Sequence, residues 1–188
     1  MSRVTVGRIT HRHEGELVVF HIGMTINQWW RPDLWMPLFA DMPRMLRELS
    51  TDPESGMLGS HMLLGASGPY LVQYWSSIDK LYDYASSAEQ HHRPAWARFN
   101  QRARSAPRAV GVWHETFLVD RAESIYISTP PMGLPAATTS VPVTSRHDRA
   151  RARFADGRTT GSPETDGRTT GSPETDSRPA ASPETPAG

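Results

Sequence analysis

The sequence predicts an α+β fold with a ferredoxin-like, split βαβ antiparallel sheet, and three observations carry that prediction. Four segments have strand-like apolar patterning, and the segments between them carry apolar residues at helical spacing. The elements run in the order strand, helix, strand, strand, helix, strand, which is the split βαβ order. A polar, repetitive C-terminal stretch adds nothing that a core needs.

The first strand is predicted over residues 17–27 (LVVFHIGMTIN). Val18, Phe20, Ile22, Met24 and Ile26 fall on one face; Val19, His21, Gly23 and Thr25 fall on the other. A Trp-Trp-Arg-Pro loop follows, and Asp33 is a candidate N-cap for a helix running to about Ser50. Its stripe is Leu38, Met42, Met45 or Leu46, and Leu49. Pro37 sits in its first turn, whereas Pro43 lies mid-helix and is expected to kink it.

Residues 56–64 and 69–76 are two further strands, joined by Gly65-Ala66-Ser67-Gly68 in a hairpin. Ser76 with Asp79 forms a capping-box pattern that opens a helix carrying Ile78, Leu81, Tyr82 and Ala85. Pro94 begins a second helical piece with Trp96, Phe99 and Ala103. Residues 109–119 form a fourth strand, and 124–129 a short fifth one.

Helices cover one face of such a sheet. The other face carries Val19, Tyr74 or Trp75, and part of 113–117, too apolar to leave wet. A second copy of the sheet is the simplest cover. A homodimeric α+β barrel enclosing a small-molecule cavity is therefore expected.

Composition changes after Pro135 to Thr, Ser, Pro, Ala and Gly. Residues 156–165 read DGRTTGSPET, 166–175 repeat them unchanged, and 176–185 are a degraded copy. A ten-residue period this polar has nothing to bury. The expected organisation is a loose N-terminus at 1–15, the barrel domain at 16–138, and a disordered low-complexity tail at 139–188. The basic cluster at 146–153 is expected to be solvated.

Lys plus Arg and Asp plus Glu each number 20, so no global basic field favours nucleic acid or an anionic membrane. The absence of cysteine excludes disulfides, thiolate catalysis and Cys-based metal sites. No secretory leader or membrane-length apolar run is visible, and a cytoplasmic location is expected. There is no Rossmann, Walker or nucleophile-elbow motif.

Six ordered blocks, HIGMTINQWW, MPRMLRELSTDPESGMLG, LVQYWSSIDKLYDYA, HHRPAWARFN, VGVWHETF and ESIYISTPPMGL, carry a family likeness over residues 16–138. Together the chain resembles the small monooxygenase-like family that includes the fumagillin-pathway monooxygenase domain, many of whose bacterial members are domains of unknown function. The resemblance implies the dimeric α+β barrel superfamily, which holds cofactor-independent monooxygenases, haem proteins and non-enzymes. It supports fold more than chemistry. Where the family is expected to place a tyrosine after WHET, this chain has Phe117.

His114 and Glu115 are neighbours on a strand, so they point to opposite faces and cannot form a direct dyad. One of them is the candidate general base, with His114 first and His92, at a helix start, as helper. The structural alternative has His114 hydrogen-bonded in the core and Glu115 paired with an arginine. Tyr74, Trp75, Trp96, Trp113 and Tyr126 are candidate wall or hydrogen-bonding residues for a flat substrate. His21 and His61 lie on the less apolar faces of their strands and are expected to face one cavity. His11 and His13 have only a weak metal-like spacing. Three readings follow: a monooxygenase of a small aromatic or enolisable molecule with no tightly bound cofactor, a haem-dependent barrel enzyme with a histidine ligand, or a non-catalytic ligand-binding or dimerisation module.

Overall fold

The structure, a computed structural model, describes residues 4–86, 101 and 104–157, with Met45 and Glu48 described by backbone alone. The fold is α+β and ferredoxin-like. Strands β1 (Arg8–Arg12), β2 (Val18–Ile26), β3 (Met57–Gly65), β4 (Gly68–Trp75), β5 (Val110–Leu118), β6 (Tyr126–Ile127) and β7 (Thr139–Pro142) form two sheets. Helices α1 (Pro32–Thr51), α2 (Ile78–Ser86), α3 (Gly133–Ala137) and α4 (Ala150–Asp156) lie between or after them.

The main sheet has the order β3-β4-β2-β5, all pairs antiparallel, as split βαβ connectivity requires. Alternation along β2 decides what it buries: Val18, Ile22, Met24 and Ile26 are 0–5% exposed. Ile22, Met24 and Ile26 pack with Leu71 of β4, Leu38 and Met42 of α1, and Ala106, Ala109 and Val110 before and within β5. A second cluster joins Val18 and Trp75 to Leu49 of α1 and to Leu81 and Tyr84 of α2. Burying side chains of this size stabilises the fold by roughly 1.5–3 kcal/mol each.

Several local expectations are corrected. Arg31, not Asp33, is the N-cap of α1; Asp33 sits in the first turn and accepts two hydrogen bonds from the Arg31 guanidinium, at 2.9 and 2.7 Å. Pro32 takes the first helical position, where no N–H is needed, and one helix spans both Pro37 and Pro43. At α2 the cap is Ser77, whose Oγ accepts from the Lys80 N–H at 3.1 Å, while Glu16 accepts from the Ile78 N–H at 2.6 Å. Tyr84, three residues after Leu81, is buried on Trp75, whereas Tyr82 and Ala85 face solvent.

The expected loose N-terminus and the expected start of the tail both hold regular structure. β1 lies between β6 and β7, and Ile9–Arg12 pair with Pro142–Thr139. The reason is mutual hydrogen bonding between two short polar segments, which leaves no apolar pattern to read. Arg153, expected to be solvated, is 7% exposed and ion-paired to Glu123 at 2.5 Å. The second helical piece from Pro94, with Phe99 and Ala103, and the repeats after Gly157 lie outside the described residues.

Candidate functional site

Register fixes which side chains share the face opposite α1 and α2. Residues directly across neighbouring strands point the same way. Val19, Tyr74 and Phe117 form one row; His21, Val72, Glu115 and His61 form the next; Gly23, Tyr70, Trp113 and Leu63 form the third. Phe117 and Trp113 are 46% and 37% exposed, so this open face is a large apolar surface interrupted by two imidazoles and a carboxylate.

The rings on it are in contact. His21 lies 5.4 Å from Phe117, edge to face, and 6.5 Å from Tyr70; Tyr70 lies 5.9 Å from Trp113. Gly23 makes the last contact possible. A Cβ built there would fall 2.4 Å from the Trp113 ring, so the indole lies across a backbone that offers it no side chain.

Within this run, His21 Nδ1 stands 3.8 Å from Glu115 Oε2. That is ion-pair distance, just beyond a hydrogen bond. A carboxylate on Nδ1 favours the tautomer that leaves Nε2 as a base. His21 is more shielded than Glu115, at 30% against 60% side-chain exposure. His61 shares the row, but Val72 stands between them, and two strand spacings put His61 roughly 10 Å from His21. Among the described residues, no three His, Asp or Glu side chains could hold a metal ion together.

One end of the face is closed by the chain itself. α3 packs on β3, where an added Cβ at Gly59 would lie 2.9 Å from Ala137 Cβ. His61 lines a hollow of about 470 Å³ there with Pro130–Gly133 and Ala136. Tyr74 is half-buried; burial raises its phenol pKa, and nearby Tyr126 raises it further. The two tyrosines therefore come together as potential donors, and burial holds the Tyr74 phenol in its protonated form.

Two expected site residues lie elsewhere. Trp75 is fully buried on the core side, with its ring 5.4 Å from Tyr84 and its Nε1–H donated to Gln73 Oε1 at 3.1 Å. His114 pairs with Ile22 and sits 5.7 Å from Phe20, on the face opposite Glu115. Strand alternation permits only one of each neighbouring pair on the open face, and it selects Tyr74 and Glu115. His92 and Trp96 lie outside the described residues. The sequence reading places Gly23 on this face without its contact to the Trp113 ring, and it does not single out Tyr70. The spacing Tyr70-Val72-Tyr74 was the available signal, because it is one face of one strand.

No curated protein matches the chain. Among solved structures, it is similar to aldoxime dehydratase in complex with butyraldoxime, at 15% identity and a TM-score of 0.52. That likeness covers 76% of this chain but 44% of the dehydratase, and it is one of fold. SnoaB, a cofactor-independent oxygenase from Streptomyces nogalater, is 15% identical over 57% of this chain and 97% of its own, with a TM-score of 0.39. Rv0793 from Mycobacterium tuberculosis is 19% identical over 54% and 93%, with a TM-score of 0.37. The family model described as monooxygenase af470-like matches residues 17–134, which bears out the resemblance carried by the sequence blocks. That stretch takes in the whole four-stranded sheet and its open face, and the chain belongs to the monooxygenase af470-like family.

Proposed function

We propose that this chain is a monooxygenase that oxidises a small aromatic or enolisable molecule on the open sheet face, without a tightly bound cofactor. The observation that carries the reading is the His21–Glu115 pair set inside a continuous run of aromatic rings. Membership of a monooxygenase-like family supports the reaction class.

A flat substrate stacks along Phe117, Tyr70 and Trp113. His21 Nε2 removes a proton from a CH2 group activated by a neighbouring phenol or enol, and Glu115 stabilises the imidazolium. The carbanion gives electrons to O2 and a C–O bond forms, leaving a peroxide. Loss of the second C–H proton breaks the O–O bond. One oxygen remains as a carbonyl and the other leaves as water, so CH2 and O2 become C=O and H2O. Tyr74, with its raised pKa, and Tyr126 donate hydrogen bonds to the substrate oxygen. The apolar wall keeps water from the carbanion.

The same face supports a homodimer. Trp113 and Phe117 are too exposed for a surface that faces water alone, and a second copy of the sheet covers them. The small molecule then lies between sheet and cover.

The test is oxygen uptake by purified protein against a panel of phenolic and enolic compounds that carry an activated CH2 group, with absorption spectra and light scattering on the same preparation. Turnover with one O2 per substrate, lost in His21→Ala, by a dimeric colourless protein is expected. A Soret band that disappears in His21→Ala would replace this reading with a haem enzyme. A colourless protein that binds the compounds without consuming oxygen would replace it with a binding module.

A further inference from the structure

We infer that the hollow between β1, β7 and α4 is a second ligand site, one that takes a small organic anion through a carboxylate or phosphate group. Its volume is about 320 Å³, within the range of small-molecule sites. Every residue lining it except Ala122 lies outside residues 17–134, so it belongs to the added layer and not to the sheet that the family shares.

The charge lining the hollow is one-sided. Two arginines and three histidines face a single carboxylate, Asp156, which is already held by His147 at 2.5 Å. Arg153 is spent as well: it binds Glu123 and donates to the carbonyls of His147 and Asp148 at 2.9 and 2.7 Å. Arg12 differs. Its guanidinium is exposed and has no ion pair or hydrogen bond among the described residues. Arg12 is among the residues that line the hollow, and an unpaired guanidinium is a fork-shaped donor for an oxyanion.

The histidines beside it are held in place. His11 Nδ1 meets Ser124 Oγ at 2.8 Å, and His13 Nε2–H donates to the Glu16 carbonyl at 2.9 Å. Each ring is thereby oriented, with its second nitrogen left over for a ligand. Val141, Pro142 and Ala122 supply apolar wall for the organic part. Burial lowers the His11 pKa, His13 lowers it further, and Glu123 opposes both. Arg12, His147, Arg153 and Asp156 complete the charged surroundings. An anion that binds here raises the His11 pKa and draws a proton on, so its affinity falls as pH rises.

The experiment is an NMR titration of the full chain with inorganic phosphate and, separately, with benzoate, following histidine ring signals at constant ionic strength. Sodium chloride is the matched control. Saturable shifts at His11 and His13 are expected, with affinity about tenfold weaker in Arg12→Ala and weaker as pH is raised from about 6 to 8. Arg12→Gln repeats the comparison if the alanine variant melts early. Saturation by phosphate alone or benzoate alone supports the site and names its ligand class. Three results overturn it: shifts that chloride reproduces without saturation, affinity in both Arg12 variants unchanged from the unsubstituted chain, or shifts centred on His21 and His61. The last would place the anion on the open face.

Discussion

The two faces of the main sheet are built from the same strands and differ in almost every respect. The face under α1 and α2 buries Val18, Ile22, Leu71 and Trp75 to 5% exposure or less. The opposite face leaves Trp113 and Phe117 more than a third exposed and places an imidazole beside a carboxylate. Trp75 and Tyr74 are adjacent in sequence, as are His114 and Glu115, yet each pair is split between the two faces. Core residues and candidate site residues are thus interleaved at single-residue spacing, and residue type alone does not tell them apart.

Substitutions on either side test that division. Trp75→Ala should cost about 3–5 kcal/mol in urea unfolding, because it empties the contact between β4 and α2. A cost below 1 kcal/mol would mean the core does not depend on it. His21→Ala should leave the unfolding midpoint nearly unchanged and lower oxygen uptake by about 100-fold or more. A similar loss in Glu115→Gln would extend the effect to the pair, and full activity in both would move the chemistry off this face. Gly23→Ala pushes a methyl group into the Trp113 ring. It should cost about 1–3 kcal/mol and change Trp fluorescence; an unaltered emission spectrum would show that the ring had not lain there.

Smaller effects sharpen the picture. The Tyr74 phenol has its pKa raised above the ordinary value of 10.0 by burial and by Tyr126. Unfolded chain therefore releases that proton first as pH climbs. The stability tied to the neutral phenol is complete below the unfolded value and is lost on the way to the folded one. Tyr74→Phe should flatten the decline of melting temperature above about pH 10; parallel curves would remove Tyr74 from the closed end of the face. Last, His114→Ala should leave turnover within about twofold of the unsubstituted protein, since catalytic effects of a base are far larger. A collapse of activity in a folded variant would return the base to the core side.

The main sheet was legible because β2 alternates and its neighbours arrive in an order with few solutions. The candidate site was legible in its residue types but not in its sidedness. β5 reads VGVWHETFL, with large apolar residues on both faces, so periodicity cannot choose between His114 and Glu115. Register with β2 makes that choice, and register is a tertiary fact. The small sheet was illegible for a different reason. RITHR and TSVP are short and polar, and their stability comes from pairing with each other across the length of the chain. Arg153 followed the same pattern: a basic cluster looks solvated until Glu123 is folded against it.

The position of β1 between β6 and β7 bears on how this protein meets other copies of itself. Both margins of that strand are occupied, one by Tyr126 and Ile127 and the other by Thr139–Pro142. A chain ended at residue 134, where the family match stops, would strip Ile9–Arg12 of the partner on one margin. The bared N–H and C=O groups would then form a template for strands from neighbouring molecules. The few residues beyond the shared sheet thereby move the open edge from β1 to the four-residue β7, and a strand that short is a poor template.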